Sequence, residues 1–543
     1  MNKSLFIGTI VSLSLVFSSC REERISSEIP AENPVVNMVS KDTEMKTQFA
    51  KALAKALKEH KELRDFIKSE ALKQVNRDYD VLYHVIKNKP VVALTAMGGN
   101  TIHDLLLPYF ETEAQLLEIE SSMPLLTIFV PDLPEDSFSA ESWDTMDEIP
   151  YVAVRTYESN DVPIYTAEGE NFVLEAPYIP AFPVVVVKDN ERVYSDRDSR
   201  YNNLDTRVLT EPTDDVQLRL ADNNFDATLG PAGPPPPPSG SYPRLDPIHV
   251  QAYDAYKDYT PGGWQRDFIY YGLTPTNTVG VIHRNYKEYI TSFKLTGDPQ
   301  LAYQYISQHD QDPYLVPPIH TTNPSTPSQA SAWTDGFFEI GFSVNYGPKE
   351  SNVDANAIGH FLANPEDLFD ITYTKQQIPV YIPNFPFPPI LVGYYYVYTP
   401  HVTGLKMIDF YNDHTQKTEI ETWHLNEFSN MWKISFQEND VTITHDETVT
   451  ETNKYNTNLE YSTSWEDIVK IGIKFGASQE STQGFDYKRH YVTGSNDLGN
   501  SVINFGDDIV VPGYNWLGLP QLKPRKYNTT GNVEFEIRPR LIY

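Results

Sequence analysis

The stretch PVVVVKDNERV, Pro183 to Val193, decides the fold class of the first half of this chain. Val184 to Val187 is an unbroken β-branched run. A strand with one wet face alternates apolar and polar residues, so four consecutive valines suit a strand covered on both faces. Such a strand needs neighbours. Leu125 to Val130, Tyr151 to Tyr157 and Phe172 to Leu174 read as strands, separated by Pro, Asp and Gly clusters. Ala167 to Asn171 lies between apolar segments and reads as a hairpin loop. The covering layer comes earlier. Phe49, Leu53, Leu57, Leu63, Phe66, Ile67 and Leu72 recur at helical spacing with a shift near His60. Ala52, Ala54 and Ala56 favour helix. A shorter helix is expected over Ile102 to Glu120, after the Gly98-Gly99-Asn100 turn. Residues 43–195 are therefore expected to form an α+β domain, helices first and sheet after.

Outward from there the texture changes twice. Residues 196–245 are rich in Asp, Asn and Arg and then in proline. The five-proline run from Pro234 favours polyproline II and a semi-rigid spacer, so the segment reads as a linker. Residues 246–543 carry many short strand signals. Phe338, Ile340, Phe342 and Val344 alternate onto one face, and Trp432 to Phe436, Ile468 to Phe475, Val502 to Phe505 and Val533 to Ile537 continue the series. Trp264 to Leu273 reads as an aromatic strand. Ile248 to Tyr259 fits a short helix or an extended segment, and Ile378 to Pro389 an edge strand broken by prolines. The expected architecture is a mostly-β, antiparallel sandwich. No repeat at a fixed period is visible.

The chain has 543 residues and a formal net charge of −31. That field repels phosphate backbones, so nucleic acid is not an expected partner. At the N-terminus, Lys3 precedes an apolar stretch, Leu5 to Phe17, too short to span a bilayer. Ser18 and Ser19 then lead to Cys20, the only cysteine. One cysteine cannot form an internal disulfide. The pattern resembles a bacterial lipobox, which implies a signal peptide over residues 1–19, lipidation of Cys20, and a membrane contact through that lipid. Residues 20–42 then read as a flexible tether. Arg21-Glu22-Glu23 is similar to the export signal that sends lipoproteins of the Bacteroidota to the outer face of the outer membrane.

Several further stretches resemble a family of uncharacterised outer-membrane lipoproteins of the Bacteroidota. They are Glu62 to Gln74, Pro183 to Val193, Gly263 to Tyr271, Trp333 to Glu339, Leu368 to Tyr373, Ile471 to Gly476 and Asp497 to Gly499. The resemblance implies domain order and a surface location and implies no activity.

The chemistry-bearing motifs are few. There is no His-Glu-x-x-His, no Gly-x-Ser-x-Gly and no phosphate-cradling Gly-Lys-Ser/Thr loop. His309-Asp310-Gln311-Asp312 resembles the start of a calcium loop but lacks the Gly and distal Glu of an EF-hand. Asp409, Asp413 and His414 are a second candidate ligand group. Trp432 to Asp440 is similar to the closing strand and loop of a C2-type sandwich, with Asp440 as the calcium candidate. Residues 441–482, Thr-rich and loosely alternating, resemble the insertion hairpin of aerolysin-type pore formers. Trp264, Tyr270, Tyr271 and Tyr394 to Tyr396 are the aromatics suited to stacking on sugars, although core packing accounts for them too. The basic residues Lys51, Lys55, Lys58, Lys61 and Lys68 read as the solvated side of a packed helix. No catalytic residue is assigned and no cofactor is expected, calcium being the one that the acidic loops admit. The expected function is a non-catalytic binding or interaction module at the cell surface, with a glycan or protein ligand. The alternatives are an extracytoplasmic hydrolase with unidentified acid and base, and a calcium-dependent C2-like docking module.

Overall fold

The computed structural model describes residues 34–91, 100–228 (without 157, 158 and 200), 245–258, 265–307 (without 275 and 278), 313–314, 330–347 (without 335), 356–381, 391–410, 418–438 (without 426), 443–456, 459–461, 468–471, 480–493 and 496–542 (without 516). The fold is an α+β N-terminal part followed by a mostly-β part.

The valine strand, Val184–Asp189, occupies an inner position of a six-stranded mixed sheet. It runs antiparallel to Leu126–Phe129 and parallel to Tyr151–Val154. Val184 to Val187 are all fully buried, as a two-faced strand requires. The sheet continues outward through Asp80–Leu82 on one side and through Val162–Tyr165 and Asn171–Leu174 on the other. The turn joining the last two closes at Gly169, whose φ of 85° needs a residue without a Cβ penalty. The helix Pro34–Glu59 lies against this sheet, and it begins inside residues 20–42, whose polar composition suggests a flexible tether. Its apolar positions Phe49, Leu53 and Leu57 are fully buried, and so are Leu63 and Ile67 on the helix Lys61–Ala71. The break falls at His60, which has an extended backbone. Lys51, Lys55 and Lys58 face solvent. The expected helix over Ile102 to Glu120 is two helices, Ile102–Leu106 and Glu113–Ser122, each opened by a threonine capping box.

Residues 196–228, expected to begin the linker, fold back instead. Val193–Ser195 pairs with Leu218–Leu220. Val216, Leu218, Leu220 and Phe225 then cluster with Leu82 and with Leu362 from the C-terminal half. The proline run lies outside the described residues.

The C-terminal half contains a sandwich. One antiparallel sheet orders Met407–Asp409, Tyr286–Leu295, Val533–Leu541 and Lys526–Asn528; the other orders Asn356–Ala363, Phe338–Asn345, Met431–Glu438 and Asn496–Asn504. Aromatic rings join them: Phe293 meets Phe361 at 5.0 Å and Phe436 at 5.5 Å, and Phe436 meets Phe535 at 5.0 Å. Gly359 sits opposite Phe342, whose ring occupies the space a Cβ would need. Trp423 stacks on Trp432 with centroids 4.0 Å apart.

One expected strand is a helix. Gln265–Tyr271 is helical. Aromatic composition favours a strand, but tertiary partners outweigh it here. Arg266 is buried and places Nε 2.6 Å from Glu288 Oε1, and the Gln265 side-chain oxygen accepts from the backbone N–H groups of Ile509 and Val510 at 2.9 Å. The long strand Leu391–Leu405 pairs with Phe369–Tyr381. In the region that resembles a pore-former hairpin, the backbones of Ile443–Asn456 and Glu480–Thr493 form an antiparallel two-stranded ribbon.

The two halves pack directly on each other. Ile179–Pro180 pairs with Val397 and Tyr398 of the long strand. Tyr395 stacks on Phe172 at 4.9 Å and meets Phe182 edge-on at 6.1 Å. A single apolar cluster thus runs from Met45 to Ile537.

Two outcomes are expected from this packing. Val186→Ala removes buried methyls from the sheet centre and costs about 2 kcal/mol, read as a lower urea midpoint, whereas Val173→Ala, 54% exposed, changes stability by less than about 0.5 kcal/mol. Asp267 is buried, and burial raises its pKa well above the ordinary carboxyl value. The folded state therefore holds the proton more tightly than the unfolded chain. Stability from this group is complete below the unfolded pKa of about 4 and falls as pH rises from there toward the folded value. Asp267→Asn should narrow the gap between urea midpoints measured at pH 5 and pH 8; an unchanged gap refutes the assignment.

Candidate functional site

A cleft of about 510 Å³ opens where the two halves meet. Four short segments wall it. The helix Lys61–Ala71 ends and the chain turns through Gln74 and Arg77 into the strand Asp80–Leu82. After Leu126–Phe129 the chain makes a tight loop, closed by the bridge between Leu133 and Phe138. From the C-terminal half come Ala332, Trp333, Gly336, Phe337 and the capped turn at Asn364, where the Asn364 N–H donates to Asp367 Oδ2 at 2.9 Å. Ile179, from the strand that joins the halves, and Ile371 and Tyr373, from Phe369–Tyr381, complete the lining.

Backbone strain concentrates here. The non-glycine residues with left-handed φ among the described residues are Gln74 (45°), Arg77 (61°), Glu135 (56°) and Asp136 (53°). All four line the cleft. Each such conformation costs about 1–3 kcal/mol and persists only where the surroundings impose it.

Behind the lining lie the residues that follow the valine run. Lys188 is buried; its Nζ lies 2.9 Å from Glu191 Oε2 and 3.4 Å from Asp80 Oδ1. Arg192 is also buried, 2.8 Å from Asp78 Oδ2, and donates to the Asn76 carbonyl at 3.0 Å. Asn76 and Asn190 each donate to Asp80 Oδ2, at 2.8 and 3.0 Å. Lys46, buried on the first helix, pairs with Asp189. These cations also carry the aromatic wall. Lys188 sits 4.8 Å from the Phe129 ring centroid and the Arg192 guanidinium 3.7 Å from that of Phe337. Phe129, Phe337 and Asp78 all line the cleft.

Asp78, Asp80 and Glu191 bring carboxylate oxygens within 4.8 Å of one another, as a metal site would. Lys188 and Arg192 already neutralise that group, so a divalent ion would enter against two fixed cations. Burial raises the pKa of Asp80, with the Lys188 ammonium opposing it.

The rim is different. Asp132, Glu135 and Asp136 have no hydrogen-bond or ion-pair partner among the described residues. The Asp132 side chain keeps contact with solvent, yet its pKa is raised, first by partial burial and then by the charges of Glu141, Glu366 and Asp136. Across the cleft, the Tyr373 hydroxyl donates to Glu366 at 2.5 Å, and the Tyr79 hydroxyl donates to Glu141. Trp333 is buried at 3% exposure, and its Nε1–H has no acceptor among the described residues.

No family profile, curated protein or solved structure matches this chain.

Most residues singled out in the sequence do not converge on this cleft. Cys20, Trp264, His309, Asp310, Asp312, Asp413, His414 and Asp440 lie outside the described residues. Asp409 is on an edge strand, opposite Ser292. The strand leading to Asp440, Met431–Glu438, is an inner strand with partners on both sides. Tyr270 and Tyr271 are buried in the core, Tyr271 donating to the Trp423 carbonyl at 3.2 Å. Tyr394 and Tyr396 are exposed. The cleft residues are scattered over some 300 positions of sequence, and no local motif marks them.

Lys188→Met is expected to leave Asp80 buried without its cation and to cost about 3–5 kcal/mol. Urea denaturation measures it, and a loss below about 1 kcal/mol would show that the network does not depend on Lys188.

Proposed function

We propose that this protein is a non-catalytic binding module, held at the outer membrane surface by a lipid on Cys20, and that the cleft between its halves receives the ligand. The carrying observation is the convergence at one cleft of the four strained non-glycine residues among those described with aromatic side chains and with carboxylates that have no partner among the described residues. Strain that serves packing alone has no reason to collect around a void. A concave seam with a few convergent polar groups is also the ordinary place for a ligand. The signal-like N-terminus supports a protein suspended from a membrane by lipid. No helix among the described residues is long and apolar enough to cross one.

A second reading is favoured by one observation. Asp132 holds its proton more tightly than an ordinary carboxyl and has Asp136 and Glu366 as charged neighbours. A carboxyl whose pKa is raised beside other carboxylates is an arrangement used in acid–base hydrolysis.

One experiment separates the two. Full-length protein in detergent is applied to glycan and peptide arrays beside the Asp132→Asn, Glu366→Gln double variant. The binding reading expects a retained ligand class whose signal falls at least about tenfold in the variant, with the ligand recovered intact by mass spectrometry. Cleaved ligand that disappears in Asp132→Asn would establish the hydrolase. Equal signals from both proteins would remove the cleft from the binding site.

A further inference from the structure

The ribbon formed by Val510–Tyr514 and Pro520–Pro524 carries apolar side chains out into solvent. Its two strands pair only with each other among the described residues. Its root is fixed. Val510 is fully buried, and the Gln265 side chain accepts from the Ile509 and Val510 N–H groups and donates to the Val510 carbonyl, each at 2.9 Å. The tip lies about 13 Å further along the extended strand. There Tyr514 is 66% exposed, Leu517 60% and Leu519 56%, three of the six most exposed large apolar residues among those described. Single exposed apolar residues are ordinary, but three within six positions form a patch that calls for a partner.

The turn itself shows the chemistry of that partner. The Asn515 N–H donates to the Leu519 carbonyl and the Gly518 N–H to the Asn515 carbonyl, both at 2.9 Å. Asn515 Oδ1 accepts from the Leu517 and Leu519 N–H groups at 3.0 and 2.8 Å. Gly518, with φ at 75°, lets the chain close this way. The main-chain donors of all the described turn residues are thus used within the turn. Water would satisfy such groups without help, whereas hydrocarbon requires them to be satisfied internally. The edges of the ribbon are blunted as well, because Pro512, Pro520 and Pro524 have no N–H to offer an added strand. A protein interface makes about one hydrogen bond per 100–200 Å², and this tip keeps its main-chain donors to itself.

A bilayer surface asks for these features together. Leucines enter the hydrocarbon, and a tyrosine suits the headgroup level, where its ring is in apolar surroundings and its hydroxyl is wet. Lys523, opposite Val511, lays its stem along Gly513, where a Cβ would come within 2.8 Å of Lys523 Cδ. The Lys523 ammonium has no ion-pair partner among the described residues. A lysine a few residues behind the leucines can keep its stem on apolar surface while its head reaches phosphate oxygens. We propose that residues 514–519 dock this protein on a lipid bilayer, with Leu517 and Leu519 below the headgroups of a zwitterionic surface. An anionic surface is opposed by the net charge of −31. The site is separate from the cleft, and it needs no lipid on Cys20, which would only keep the tip close to the membrane.

The test reads insertion at the tip itself. The full chain carries Cys20→Ala, which removes the lipid, and Leu517→Cys, labelled with an environment-sensitive fluorophore. Phosphatidylcholine vesicles are expected to shift the label's emission to the blue, and nitroxide-bearing lipid to quench it. The same label at Met146→Cys, 63% exposed and in the N-terminal half, should emit as it does in buffer. Adding Tyr514→Ser and Leu519→Asp to the Leu517→Cys chain should raise the lipid concentration for the half-maximal shift at least about tenfold. Melting curves confirm that each variant folds; should the pair fail to fold, Leu519→Asp alone carries the test. No shift at 517, equal shifts at 517 and 146, or a shift that the tip substitutions leave unchanged would each overturn the inference, the last by tracing the signal to the fluorophore. A shift in buffer alone that grows with protein concentration would assign the tip to a second copy of the chain and would also overturn it. None of these outcomes bears on the cleft, whose array test stands or falls separately.

Discussion

The structure depends on a buried ion network at the end of one strand. Four valines carry the chain through the middle of the first sheet, and the next residues, Lys188 to Arg192, are charged or polar. Lys188, Asn190 and Arg192 are nearly as buried as the valines. Taking isolated charges out of water costs several kcal/mol each, so they persist only when paired and hydrogen-bonded. Asp80 comes from the adjoining edge of the sheet, Asp78 and Asn76 from the turn before it, and Lys46 from the first helix. Satisfying the network therefore ties helix, turn and sheet into one arrangement.

The same network reaches across the seam. The Arg192 guanidinium lies against Phe337, a residue of the C-terminal half, and against Phe225, from the segment that folds back between the halves. Ile179–Pro180 adds main-chain hydrogen bonds to the long strand of the second half, and the rings of Phe172, Phe182 and Tyr395 fill the junction. A rigid seam of this kind can hold strained turns. Gln74 and Arg77 sit directly before Asp78 and Asp80; Glu135 and Asp136 sit in a loop a few residues beyond Phe129. Their left-handed backbones are imposed by anchors on either side. The cleft is the space these imposed turns leave, with ion pairs beneath it and unpaired carboxylates on its rim.

Much of the local structure was legible. The helical spacing from Phe49 to Leu72 and its shift at His60 reflect an amphipathic face that must meet a sheet, and the helix breaks at that residue. The valine run and the alternation of Phe338 to Val344 identified a strand buried on both faces and a strand of a sandwich sheet. The hairpin at Gly169 followed from turn chemistry. The aromatic composition of Gln265–Tyr271 favours a strand, while its helix is selected by Arg266 reaching Glu288 and by the Gln265 side chain accepting from the Ile509 and Val510 N–H groups. Residues 196–228 depart from their composition for a related reason. Their polar composition suits a linker, but a few apolar positions, Val216, Leu218, Leu220 and Phe225, suffice to dock them.

By itself the sequence determined fold class, the order of helices and sheet, the net negative charge, and the lone cysteine behind a signal-like stretch. Each depends on composition or on neighbours a few residues apart. The tertiary structure alone decided the cleft. Gln74, Asp132, Glu135, Trp333 and Glu366 are brought together by two sheets meeting at one seam. Whether a carboxylate there is paired or open, or an indole N–H satisfied, depends on groups hundreds of residues away, which no local periodicity records.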